Sequence, residues 1–253
     1  MSNFLTELDK KISLRFRSRG KELFFYSKTY DEICLLSDEE VLLLADRYIV
    51  EVNSCSCDSW LCILPRLLKC YFDSSRIAGY ELVQVLEKIY CEIQDDILKQ
   101  TILITISNWI ETVTTSYLIK DGYYIEKESS FKDITIELLS SDNFNSVIIN
   151  WLNKNKLDDS LSSTIWVCAF FEEIAEEAEL YLDPSRHYYK MIFPVVESYC
   201  TGANKRYLDD HVSMITIVCN ENKLPCDYCN RILEAMGKLK ELFLPKRKDR
   251  ERL

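Results

Sequence analysis

Glycine, proline and histidine are scarce in this chain, with five, five and two copies in 253 residues. All-β domains spend glycine and proline at most of their turns, so this scarcity excludes a train of short strands and points to helices joined by brief polar links. No apolar run reaches the roughly 18 residues that cross a bilayer, so no membrane partner is expected. The first residues, Met1 to Asp9, lack the apolar core of a secretory signal, and a cytoplasmic protein is expected. The chain has no Gly-x-Ser-x-Gly elbow, no Gly-x-x-x-x-Gly-Lys loop and no Gly-x-Gly-x-x-Gly turn. No catalytic residue and no cofactor are therefore assigned.

Metal motifs are missing in the same way. Helical di-iron sites use Glu-x-x-His, but Pro184 and Leu208 stand three residues before His187 and His211. The pairs Asp95-Asp96 and Asp209-Asp210 open no Asp-Asp-x-x-Asp motif for magnesium and diphosphate, because Lys99 and Ser213 occupy the last position. Cys55-x-Cys57 and Cys226-x-x-Cys229, with Cys219 nearby, lack the paired knuckles of a structural zinc site. No metal is expected, and a zinc-stabilised scaffold stands as a further alternative. The eleven cysteines, an odd number, are expected to be free thiols in a reducing compartment, with Cys34, Cys91 and Cys168 inside apolar helical patterns.

What the chain does have is apolar content (47%), enough for a substantial core, and a net charge of −10. That charge disfavours holding nucleic acid through its phosphates and favours a basic protein partner. The subunit number is left open. Lys10, Lys11, Arg15, Arg17, Arg19 and Lys21 near one end and the tail from Lys246 to Arg252 are basic, so the middle is more acidic than the total.

Helices read along most of the sequence. Ser37 and Glu40 form a capping box before Val41. Asp58 or Ser59 starts a helix through Phe72, and one of Asp73, Ser74 and Ser75 starts the next. Further helices are expected over about 95–118, 161–182, 204–220 and 225–244, and one from Asp183-Pro184, with Asp as cap and Pro at the first position. The β-branched runs 101–106 and 214–218 resemble strands, but helical pattern flanks both and no hairpin turn adjoins them. Lys120 to Lys132, with Asp121-Gly122, reads as a loop and a candidate subdomain boundary within a single helical domain. The expected fold class is all-α, about ten helices arranged as an irregular α-solenoid of HEAT or armadillo type or as a compact helical bundle.

One stretch concentrates charge. Glu172, Glu173, Glu176, Glu177 and Glu179 fall within eight residues, with no basic residue between them. Like charges at i,i+4 cost a helix a few tenths of a kcal/mol, so a cation is expected to meet them. Phe170, Phe171, Ile174 and Ala178 would face inward or rim the surface. The leading expectation is a protein-interaction module that binds a basic partner through this face, such as an immunity protein inhibiting a basic, nuclease-type toxin. The alternative is an all-helical enzyme with a carboxylate-lined, magnesium-dependent pocket built on Asp95, Asp96, Asp209 and Asp210.

Overall fold

The computed structural model describes residues 3–17, 24, 28–49, 52, 55–74, 79–115, 119–120, 124–125, 128–158 and 160–243. Arg19, Lys21, Ser75, Asp121-Gly122 and the basic tail lie outside them. The fold is all-α, with thirteen helices among the described residues. The exception is a two-residue antiparallel pairing of β1 (Ile119–Lys120) with β2 (Tyr124–Ile125). No helix among the described residues is long and apolar enough to cross a membrane. The chain divides into two compact units, Met1–Glu111 and Thr112–Leu253.

The first unit holds α1 (Asn3–Arg17), α2 (Tyr30–Cys34), α3 (Asp38–Ile49), α4 (Cys57–Ser74), α5 (Gly79–Glu92) and most of α6 (Asp96–Thr114). Helices α1, α2, α3 and α5 all pack on α4. The reason is composition: Trp60, Leu61, Ile63, Leu64, Leu67, Leu68 and Tyr71 wrap apolar surface around α4, and all are buried. Its first turn is capped by Ser56 and not by Asp58 or Ser59: Ser56 Oγ accepts from the Ser59 amide at 3.1 Å. Ser37 and Glu40 form the expected capping box, with bonds of 2.6 and 3.2 Å. Arg66 and Lys69 of α4 hold Asp38 at the start of α3 at 2.8 and 2.7 Å. Asp95 caps α6 by accepting from the Leu98 amide at 3.0 Å.

Both β-branched runs are helical, one in α6 and one in α12 (Lys205–Asn220). Within α6 the threonine hydroxyls donate back to the carbonyls four residues earlier, Thr101 to Ile97 at 2.7 Å and Thr105 to Thr101 at 2.8 Å. That bonding lets threonine sit inside a helix.

The second unit holds α7 (Glu128–Ser140), α8 (Asn145–Asn155), α9 (Leu161–Glu176), α10 (Ala178–Tyr181), α11 (Tyr189–Cys200), α12 and α13 (Cys226–Leu242). Helix α9 is central, and α7, α8, α12 and α13 pack around it. Ser160 caps it through the Ser163 amide. Phe131, Trp151, Trp166, Phe170, Phe171 and Tyr199 form a continuous aromatic core, with neighbouring ring centroids 4.7 to 6.1 Å apart.

Three expectations are corrected in this unit. The helix expected over 161–182 breaks at Glu177 into α9 and α10. Asp183 caps no helix. Its carboxylate accepts from the Ser185 amide at 2.9 Å, a local turn, and α11 starts only at Tyr189. The stretch read as loop up to Lys132 is already helix from Glu128.

The free-thiol expectation also fails in part. Cys219 of α12 and Cys229 of α13 form a disulfide, with Cα atoms 6.1 Å apart. The connection that allows it is tight: Asn222 takes φ of 55° just past α12, and the Lys223 amide returns to the Val218 carbonyl at 2.9 Å. Cys168 is buried as expected, whereas Cys34 and Cys91 are exposed.

Candidate functional site: the glutamate cluster and its surroundings

The seven residues Ile165 to Phe171 are all nonpolar and cover the whole circumference of α9. A helix apolar on every side is a core helix. Glu172 follows on the same face as Cys168 and Ala169, so its carboxylate is carried into the interior, with 0% exposure. This corrects its place on an outward stripe. Two cations from other helices meet it: Lys132 Nζ of α7 at 2.6 Å from Oε2, and Arg231 Nε of α13 at 3.1 Å from Oε1. Lys132 is itself buried, while Arg231 is partly exposed and lies over the Tyr228 ring at 5.2 Å. A buried carboxylate is tolerable only with such partners.

The other four glutamates sit differently. Glu176, Glu177 and Glu179 are exposed and Glu173 is half-buried. Phe170, Phe171 and Ile174 lie beneath them in the core. Glu176 also lines a groove of about 700 Å³ along α13, with Asp227, Arg231, Glu234, Lys238 and Glu241. Arg231 points its charge at Glu172, so carboxylates dominate this groove.

A second carboxylate group lies on the α7 side. Tyr188 donates to Glu137 Oε1 at 2.9 Å. Burial raises the Glu137 carboxyl above the usual range, the Tyr188 bond opposes this, and Asp133 adds to the rise. Glu173 is raised as well, first by burial, with Lys132 opposing and Glu176, Glu177 and Asp133 reinforcing. The Tyr181 and Tyr188 rings meet edge to face at 5.3 Å.

The residues weighed for other chemistry have structural employment. Asp209 is paired with Lys205 and, at 2.6 Å, with Lys240, while Asp210 lies 3.7 Å from Arg206. His187 is exposed and stacks on Tyr188. Burial pushes the Cys168 thiol up to about 12, with Glu172 adding to it, and pushes Cys200 up to about 11. Such thiols make poor nucleophiles. Among the described residues no group of three His, Cys, Asp or Glu side chains is arranged to hold a metal ion.

His211 is buried, and its Nδ1 lies 3.0 Å from Thr164 Oγ1. Desolvation pulls the imidazole below its ordinary 6.5, against a bond to the Asn155 backbone and the charges of Asp210 and Asp158. The unfolded chain therefore takes up this proton before the folded chain does. The second unit is expected to lose stability as pH falls through about 6.5, and His211→Asn to flatten that slope. Urea unfolding of both proteins across this range checks it.

No family model, no curated protein and no solved structure matches the chain.

Proposed function

We propose that the chain is a protein-interaction module that binds a basic protein through an acidic surface made by Glu176, Glu177 and Glu179, flanked by Glu173. The surface continues into the groove through Asp227, Glu234 and Glu241. A concrete form is an immunity-type inhibitor that covers the phosphate-binding cleft of a basic nuclease. An acidic inhibitor gains fast association with such a cleft by electrostatic steering.

One observation carries this proposal: Glu176, Glu177 and Glu179 are exposed, while Lys132 and Arg231 are paired with the buried Glu172. The structure spends them on the buried carboxylate and leaves the outer glutamates facing water. The net charge of −10 has the same sign.

The test is inhibition of a panel of purified basic nucleases by the protein and by Glu176→Gln/Glu177→Gln/Glu179→Gln. Exposed charges contribute a few tenths to about 1 kcal/mol each, so the triple variant should inhibit about tenfold less well. Equal inhibition by both proteins, or none by either across the panel, counts against the proposal.

A further inference from the structure

Cys226-x-x-Cys229 takes no part in the acidic surface, and the structure places a third cysteine beside it. Cys226 is the first residue of α13, and its thiol is free and exposed. Cys229 stands one turn later, 2% exposed and bridged to the half-buried Cys219 at the end of α12. The Cys229 amide donates to the Pro225 carbonyl at 3.1 Å, so helical geometry holds from Cys226 to Cys229. The other two cysteines of this unit, Cys168 and Cys200, are buried.

These positions put Cys229 within bridging range of two partners. Its Cα lies 6.1 Å from that of Cys219. Residues three apart in a helix have Cα atoms about 5 Å apart, and disulfides span Cα separations of about 4.4–6.8 Å. The Cβ atoms of such a helical pair are about 5–6 Å apart, whereas a disulfide holds them at about 3.8 Å. The first turn of α13 has the freedom to close that gap. No side-chain cap hydrogen bond fixes it, and helix ends fray.

We propose that Cys219, Cys226 and Cys229 form a thiol–disulfide exchange site, in which Cys226 takes Cys229 from Cys219. The Cys226 thiolate attacks Cys229 Sγ. The Cys226–Cys229 bond forms as the Cys219–Cys229 bond breaks, and the electron pair leaves on Cys219 Sγ. Cys226 gives its proton to water and Cys219 takes one back. One disulfide and one thiol remain, so no oxidant or reductant is consumed. The exchange moves the bridge from between two helices into a single helix turn. It unfastens α12 from α13 at the end where Asp227 and Arg231 open the groove. The chemistry needs no partner protein and is independent of the acidic-surface proposal.

The experiment is disulfide mapping of the full chain held without reductant at about pH 8.5, where an ordinary thiol is half ionised. After acid quenching, free thiols are capped with N-ethylmaleimide and tryptic peptides are read by mass spectrometry. Cys219 falls in Tyr207–Lys223 and the other two cysteines in Leu224–Arg231, so the two bridges give different products. The parent should give both. In one, the two peptides are joined and the cap is on Cys226. In the other, Leu224–Arg231 is closed on itself and the cap is on Cys219. Cys226→Ser, a change at an exposed position, should lose the second product and keep the first. A parent capped only on Cys226, or one with no bridge, overturns the proposal. So does capping of Cys219 that persists in Cys226→Ser. Bridges to Cys168 or Cys200 would report scrambling through unfolding and overturn it as well.

Discussion

Replacing Glu172 by Gln should destabilise the second unit by about 3–5 kcal/mol, the usual loss when one partner of a buried ion pair is removed. The carboxylate is fully buried between Lys132 and Arg231. Its removal strands the Lys132 ammonium, which is buried as well. Lys132→Met should cost a comparable amount for the converse reason. The double variant Glu172→Leu/Lys132→Met should recover much of the loss, since an apolar pair of similar volume strands no buried charge and Arg231 still reaches solvent. Arg231→Gln should cost less, because that side chain reaches solvent. Urea unfolding of the four variants orders these costs. If Glu172→Gln unfolded at the parent midpoint, the carboxylate would be solvated and the inward arrangement wrong.

Opening the Cys219–Cys229 bridge should cost about 2.5–3 kcal/mol. The two cysteines are 10 residues apart, and closing a loop of that length removes roughly this much chain entropy from the unfolded state. The bridge ties the end of α12 to the first turns of α13, the helix that carries Arg231 and most of the acidic groove. Reduction should therefore lower the unfolding midpoint and weaken partner binding together. Cys229→Ser should reproduce the stability loss and become insensitive to reductant. A parent protein whose unfolding ignores reductant would contradict the bridge.

Local signals in the sequence are legible where one helix turn contains both partners. The Ser37–Glu40 capping box is one example, and the helical state of the β-branched runs is another. Asp183-Pro184 misled because an aspartate that bonds two residues on makes a turn as readily as a helix cap. The glutamate run misled for a different reason. The spacing within the run points Glu172 outward, while Glu172 obeys the apolar circumference set by Ile165 to Phe171 just before it. That signal was present in the sequence. The partners were not legible, because Lys132 lies 40 residues away and Arg231 on a later helix. The Cys219–Cys229 pairing was equally hidden among eleven cysteines, since counting does not fix connectivity. The Glu137–Tyr188 contact joins positions 51 residues apart, beyond any spacing rule.

The central claim is that the outer glutamates, and not Glu172, receive a basic partner. It is tested most directly by hexa-arginine affinity as a function of salt, for the parent and for Glu176→Gln/Glu177→Gln/Glu179→Gln. The account predicts parent affinity that falls steeply as salt rises, and a variant about tenfold weaker with a shallower slope. Equal affinities and equal slopes for the two proteins would contradict it.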